Sequence, residues 1–261
     1  MSYEIKELLI GINEKSRPGT KLKSVKGIII HWTANMGKKA DAMAHYRYFS
    51  NPERYASAHY FVDDKTILRI VPDDEMAYHV GAKQYKTSYF GSYPNANTIG
   101  VETCVNQDGN FKEALKASAW LCAKLLFDNK LNPDKDLARH YDITGKDCPR
   151  YFVYDEAAKE FFGVANSEKM WEDFKKEVKD YYNDMKNPKQ NVTLKEVQEE
   201  MSKYFPDIPP THWAANSIDK VKELGLMKGD TNGNFNPDAP LTRAQMASIL
   251  SLLADKIGLK K

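Results

Sequence analysis

Between residues 139 and 149 the chain reads Arg-His140-Tyr-Asp-Ile-Thr-Gly-Lys146-Asp-Cys148-Pro, placing an imidazole, an ammonium and a thiol close together. A second imidazole, His31, closes the apolar run Gly27-Ile28-Ile29-Ile30 far upstream. Two nitrogens and a sulfur delivered by separate elements make a donor set for a catalytic zinc, because three protein ligands leave the fourth tetrahedral position open to water. A structural zinc finger would show a fourth ligand at short spacing, and none is visible. On spacing alone a plainer reading stays open: a buried cysteine and two unrelated histidines, the way most such residues are used. Glu102 adds a carboxylate to the otherwise apolar stretch Thr98-Ile-Gly-Val-Glu102-Thr-Cys-Val105. A lone buried acid is costly unless paired or functional. Beside a zinc it would make a general base, its pKa tuned by burial and by the metal's charge; otherwise it is an exposed acid at a strand end.

These groups need elements to carry them. Gly27 to Trp32 is an unbroken apolar run of the kind buried on both faces of a sheet, with His31 at its C-terminal end. A helix is predicted over about Lys39 to Phe49, where Ala42, His45, Tyr46 and Phe49 recur at helical spacing, so His45 reads as packing rather than ligation. Ser57–Val62 and Thr66–Val71 flank the polar turn Asp63-Asp64-Lys65 as a β-hairpin. Gln84 to Asn97, rich in Tyr, Ser, Gly and Asn, reads as a surface loop whose aromatics suit sugar faces or peptide stems. Glu113 to Asn129 has the broad apolar face of a packed helix, and Leu137-Ala138-Arg139 leads as a strand into His140. A last helix, Ser167 to Asp184, carries the stripe Trp171, Phe174, Val178 and Tyr181 behind Ser167 as N-cap. Cys104 and Cys122 read as small core residues, since an odd cysteine count without paired spacing argues against a disulfide framework.

The series Ile-Ile-Ile-His31-Trp-Thr, Ser57-Ala-His59-Tyr, Ala77-Tyr-His79-Val-Gly, Asn97-Thr-Ile-Gly-Val-Glu102 and His140…Lys146-Asp-Cys148-Pro, in that order, resembles the zinc-dependent N-acetylmuramoyl-L-alanine amidases. This family includes phage endolysins, bacterial autolysins and the peptidoglycan recognition proteins. The resemblance covers residues 20–185 and implies an α/β fold, a mixed central β-sheet flanked by helices. It implies a Zn2+ held by His31, His140 and Cys148, with Glu102 moving the proton and Lys146 in the family's catalytic-lysine position facing the oxyanion. It further implies that His59 supports the floor of the substrate site and that His79 lines the substrate groove. Some phage members carry a tyrosine where Ala58 stands, which shifts proton transfer here to Glu102. The implied reaction is hydrolysis of the amide between the muramic-acid lactyl group and L-alanine of peptidoglycan. Two rivals from other classes are a non-catalytic peptidoglycan receptor and a structural wall-attached protein. Receptors that lost activity typically lack the metal cysteine, and the intact set of ligands, base and lysine weighs against both.

Length and composition set the frame. With 261 residues the chain is long enough for two domains. A net charge of +2 gives no strong steering toward nucleic acid. No apolar run reaches the length of a membrane span, and Met-Ser-Tyr-Glu-Ile-Lys-Glu does not read as a secretory signal. The expectation is synthesis in the cytoplasm and action at the bacterial cell wall after release.

The helical pattern stops near Lys186-Asn187-Pro188, so residues 1–185 are read as the catalytic domain, 186–193 as a linker and 194–261 as a small all-α module. Phe205-Pro-Asp207, His212-Trp213, the Gly/Asn turn at 229–234 and Leu241-Thr242-Arg243-Ala244-Gln245 resemble a surface-layer homology (SLH) repeat. Members of that family dock on secondary cell-wall polysaccharide, which maps sugar contacts onto Asp207, Trp213 and Arg243. An arginine suits a carboxylated sugar because its planar fork binds carboxylate in bidentate fashion. Gln245 stands where Glu is commoner, which leaves the local partner of Arg243 open. A loop starting at Asp230 has Phe235 and Leu241 at the sixth and twelfth positions, where an EF-hand requires glycine and glutamate, so it reads as a Gly/Asn turn and not a calcium site. SLH domains commonly combine three repeats, whereas one copy is recognisable here, residues 204–254, preceded by a helix expected around Leu194 to Lys203. A single unit of that size is marginal as an independent core. Its apolar positions Ile218, Val221, Leu224, Leu250 and Leu253, expected to be exposed, suggest a homotrimer that pools one repeat from each chain; the alternative is a monomer whose extra helix covers the apolar face.

Overall fold

A computed structural model describes residues 3–187, 205–209 and 212–257. The chain divides into two compact units, Met1–Pro188 and Lys189–Lys261.

The first unit is built on a six-stranded sheet in the order β1-β4-β3-β5-β2-β6. Its strands are β1 (Ile5–Glu7), β2 (Gly27–Trp32), β3 (Tyr60–Val62), β4 (Ile67–Arg69), β5 (Thr98–Thr103) and β6 (Leu137–Arg139). Only β3 and β4 pair antiparallel; every other pairing is parallel, giving the mixed sheet the resemblance implies. β2 lies between β5 and β6, and its Ile28, Ile29 and Ile30 are fully buried. Branched residues suit that place because their stiff side chains pack on both faces of a pleated strand. The polar turn between β3 and β4 is closed by Asp63, whose carboxylate accepts from the backbone N–H of Lys65 and Thr66.

Five helices flank the sheet: α1 (Ala42–Phe49), α2 (Phe111–Asp128), α3 (His140–Thr144), α4 (Asp155–Phe162) and α5 (Ser167–Lys186). α2 buries Trp120, Leu121, Leu125 and Leu126 against β2 and β5 and packs on its other side against α5. The opening residues, read as an amphipathic segment on the domain's edge, form edge strand β1 and bury Ile10 beyond it. The connection between Cys148 and α5 contains α4. The expected cap of α5 also moves by one position. Asn166 accepts from the Lys169 N–H, while the Ser167 hydroxyl donates to Asp155.

The second unit contains α6 (Ala215–Glu223) and α7 (Arg243–Lys256). Phe205, Ile208, Ala215 and Ile218 form its small core. Ile218 is therefore an interior residue of the unit, not an exposed one as expected. Along α7 no residue is buried, and Met246, Leu250, Leu252 and Leu253 are exposed. The helix expected at Leu194 to Lys203 lies outside the described residues. No helix among the described residues is long and apolar enough to cross a membrane.

Candidate functional site

Parallel register gathers the reactive groups. Within the β2–β5 pairing His31 stands opposite Glu102, and in the β2–β6 pairing Ile30 stands opposite Arg139. The strand ends of β5, β2 and β6 therefore deliver Glu102, His31 and, one residue beyond β6, His140 to one edge of the sheet. Carboxyl ends of parallel strands are where open α/β sheets place their sites.

Cys148 reaches the same edge through a tight return. Helix α3 ends at Gly145, whose φ of 81° is left-handed backbone that glycine adopts without a Cβ clash. The returning chain is then tied back where the Tyr141 N–H donates to the Cys148 carbonyl at 2.9 Å. Arg139 anchors this return. Its buried guanidinium donates to Asp142 at 2.8 Å, to the Phe152 carbonyl at 2.7 Å and to Glu168 on α5 at 3.2 Å, and it lies over the Trp171 ring. Sequence reading missed that role, because the partners of Arg139 are spread over three later segments.

The result is a buried trio. Ligand-type atoms of His31, His140 and Cys148 all lie within 4.8 Å of one another. Cys148 Sγ is 3.6 Å from His31 Nδ1, which matches the edge of about 3.6 Å that ordinary Zn–N and Zn–S bonds subtend at a tetrahedral angle. Neither nitrogen of His140 has a hydrogen-bond partner although both are buried. Buried imidazole nitrogens are normally bonded, so an orphaned His140 beside a thiol fits a metal. Burial, with the Lys146 charge adding, lowers His140 to about 4, and burial also drives His31 well below its usual range. Both rings are thus held neutral, the form a metal needs. Burial, reinforced by Glu102, pushes the Cys148 thiol up, while the Trp32 backbone and Lys146 act against it.

Glu102 faces the same cavity of about 200 Å3, which Lys146, His79 and Tyr78 also line. Its Oε2 is buried without a partner, and burial raises its pKa to about 8, with Lys146 pulling it down. Lys146 is exposed at the rim. The cavity continues on both sides. One extension, about 520 Å3, shares His79, His140 and Lys146 with the centre and is walled by Tyr55, Tyr78, Tyr85 and Tyr93. The other, about 440 Å3, shares Thr33 and Phe49 and adds His45 and Tyr48. Tyr55 and Tyr78 were not singled out from the sequence, since nothing in their spacing relates them to residues 85 and 93. His45 stacks on Phe61 with ring centroids 5.1 Å apart, as its helical spacing predicts.

The two histidines that the resemblance assigns to the substrate site differ. His59 is fully buried, its Nε2 3.0 Å or less from a carbonyl and its Nδ1 taken by a backbone donor: Nε2 lies 2.9 Å from the Glu75 carbonyl, and the Gly100 N–H donates to Nδ1 at 3.0 Å. Both ring nitrogens of His59 are thus committed to backbone. His79 borders the groove, yet its Nδ1 sits 3.0 Å from His31 Nε2.

In the second unit, both oxygens of Asp207 accept backbone N–H groups, from Phe235 at 2.9 Å and Asn236 at 2.7 Å. Trp213 is 91% exposed and stacks on His212. Arg243 is the first residue of α7 and exposed. The Gln245 side chain is engaged in a capping box: its Oε1 accepts from the Thr242 N–H at 2.8 Å while Thr242 Oγ1 accepts from the Gln245 N–H. A glutamine performs that task as well as a glutamate, which accounts for the departure from the commoner residue.

A mixed sheet that brings two imidazoles, a thiol, a carboxylate and an ammonium to one edge, between two open arms of a groove, defines a hydrolase-type centre. Residues 21–151 match the family description N-acetylmuramoyl-L-alanine amidase, and the chain belongs to that family, which is zinc-dependent. It is 41% identical over 180 residues to N-acetylmuramoyl-L-alanine amidase BlyA of Bacillus subtilis, covering 65% of this chain and 45% of that protein. A probable N-acetylmuramoyl-L-alanine amidase of Bacillus licheniformis is 44% identical over 154 residues, covering 56% of this chain and 42% of that one. The chain thus spans less than half the length of these relatives. Among solved structures, the catalytic domain of XlyA superposes with a TM-score of 0.55 at 30% identity, covering 67% of this chain and 99% of that one. Residues 204–247 match the S-layer homology domain. S-layer protein sap of Bacillus anthracis is 47% identical over 58 residues, covering 21% of this chain and 7% of that protein.

Proposed function

We propose that residues 1–185 hydrolyse the amide bond between the lactyl group of N-acetylmuramic acid and L-alanine in peptidoglycan. Family membership supports the reaction class. The observation that carries the reading is the convergence of His31 Nδ1, Cys148 Sγ and an orphaned His140 opposite Glu102, whose Oε2 is buried and unpaired. His31, His140 and Cys148 would hold the zinc. When bound, zinc supplies a Lewis acid that polarises an amide carbonyl and makes water a nucleophile at neutral pH.

The remaining work falls to the chain's own groups. Glu102 takes a proton from the attacking water and delivers it to the departing amine of L-alanine; burial raises its pKa in the metal-free chain, and the charge of Lys146 and of a bound zinc would act in the opposite direction, toward the carboxylate that accepts the proton. Lys146, at the cavity rim, sets a positive charge where the amide oxygen becomes negative. The two arms of the groove hold the polymer on either side of the scissile bond, so that water and carbonyl meet in a fixed geometry. One water is consumed, and a lactyl carboxylate and a free L-alanine amine are formed. Digestion of purified peptidoglycan tests this. New L-alanine amino termini without new reducing sugar ends are expected; new reducing ends with no amino termini would refute it.

Residues 194–261 would attach the enzyme to secondary cell-wall polysaccharide, through Trp213 and Arg243 with Asp207 holding the loop beneath. The S-layer homology match supports this, as does a tryptophan that is almost wholly exposed. The protein would act at the cell wall after release from the cytoplasm in which it is made. Three such modules pooled in a homotrimer would add avidity through effective concentration.

A further inference from the structure

His31 has two ring nitrogens, and only one can ligate. Nδ1 faces Cys148 Sγ at 3.6 Å, while Nε2 lies 3.0 Å from Nδ1 of His79. A nitrogen–nitrogen hydrogen bond needs one donor and one acceptor, so the tautomers of the two rings are coupled. The far side of His79 decides which way round they stand. His79 Nε2 lies 3.3 Å from the Thr98 carbonyl, a group that can only accept. The Thr98 hydroxyl is also 3.3 Å away, but it donates to the Pro94 carbonyl at 2.8 Å and so has no proton to offer. His79 Nε2 must therefore carry the hydrogen. In a neutral ring that leaves a lone pair on Nδ1, which accepts from His31 Nε2–H. His31 Nδ1 is then unprotonated and faces the ligand cavity.

The geometry points to His79 as the positioning residue that fixes the tautomer and orientation of His31 for metal binding. This rests on the reading that His31, His140 and Cys148 hold zinc. Ligating histidines generally donate their second N–H to an outer partner, most often a carboxylate or a carbonyl. Here a second imidazole is interposed and passes the constraint on to the carbonyl of Thr98 at the start of β5.

Two further features hold His79 in place. A Cβ on Gly100 would come within 2.6 Å of the His79 Cγ and Nδ1, so the ring is seated directly on glycine backbone in β5. The backbone N–H groups of His79 and Val80 both donate to Asn95 Oδ1, at 3.1 and 2.8 Å. With His79 7% exposed, the side chain is fixed beneath the groove more than it is presented to it.

The test is the zinc affinity of the metal-free full chain, measured by competition with a chelator, in wild type and three variants. His79→Phe keeps a ring but removes the acceptor, and it should weaken zinc binding about 10- to 100-fold, the scale of an outer-partner loss. His79→Asn places an amide oxygen near the position of Nδ1 and should recover most of that affinity. Gly100→Ala should weaken binding too, by driving the ring off its seat. Nitrogen chemical shifts of the His31 ring in the metal-free chain give a readout independent of the metal. They should report Nε2–H in wild type and a mixture of tautomers in His79→Phe. A His79→Phe chain that folds as wild type, binds zinc as tightly and keeps the His31 tautomer overturns the role of His79 alone. A wild-type chain that binds no zinc overturns the metal reading itself.

Discussion

Replacing Glu102 with glutamine should abolish most of the activity and, in metal-free protein, raise stability. The folded chain holds the Glu102 carboxyl at about 8 because burial disfavours the charge, against 4.5 for an unfolded chain. Between those values the folded state binds more protons than the unfolded one, so its stability falls as pH rises from about 4.5 through about 8; below that window the group contributes nothing. A gap of that width corresponds to an upper bound of about 5 kcal/mol at pH above the window. The carboxylate opens in part on the groove, where water screens it, which reduces the expectation to about 1–3 kcal/mol. Urea unfolding of chelator-treated protein, followed by the emission of Trp32, Trp120 and Trp171, measures this at pH 8.5 and pH 5. Glu102→Gln should be the more stable at pH 8.5 and level with wild type at pH 5. Turnover of peptidoglycan by the zinc-loaded variant should drop about a hundredfold or more, the scale of a lost general acid/base. A variant no more stable at pH 8.5, or one whose advantage is undiminished at pH 5, would refute the assignment of a buried, proton-holding carboxyl.

Chelation should remove activity together with one zinc per chain, and Cys148→Ser should weaken zinc binding severely because a thiolate is replaced by a neutral hydroxyl; full zinc occupancy in that variant, by metal analysis, would exclude Cys148 as a ligand. Arg139→Ala should destabilise the first unit by about 2–4 kcal/mol, since it strands the Phe152 carbonyl and frees the return that carries Cys148; a midpoint unchanged in urea would show that the anchor is dispensable. Light scattering on the full chain at tens of micromolar should report a trimer, and a chain ending near Lys186 should be monomeric. A monomeric full chain would refute assembly through the second unit.

The residues of the candidate site were legible because each breaks a local pattern. His31 ends a run of isoleucines, Glu102 is the lone acid of an apolar strand, and His140, Lys146 and Cys148 crowd one short loop. The strands beneath them were legible for the same reason, since runs buried on both faces leave little ambiguity. What escaped depends on register between distant segments. His79 meets His31 only because β5, β2 and the loop after Ala77 converge, and nothing in its neighbours distinguishes a groove residue from an outer partner. The partners of His59 are hidden in the same way, because the backbone groups that occupy it belong to Glu75 and Gly100. Arg139 reads as one more strand-end cation until Asp142, Phe152 and Glu168 close around it. In the second unit the apolar spacing of α6 was plain, but which side it buries was not, so Ile218 was placed outside when it packs on Phe205 and Ile208.

The central claim is that water is added across one amide bond at the lactyl group. Digestion of purified peptidoglycan in 18O-labelled water, followed by mass spectrometry of the fragments, tests it most directly. The account predicts a single 18O in the lactyl carboxylate of muramic acid and an unlabelled, free amino terminus on L-alanine. Label at a sugar reducing end, or in a carboxyl group within the peptide stem, would contradict it.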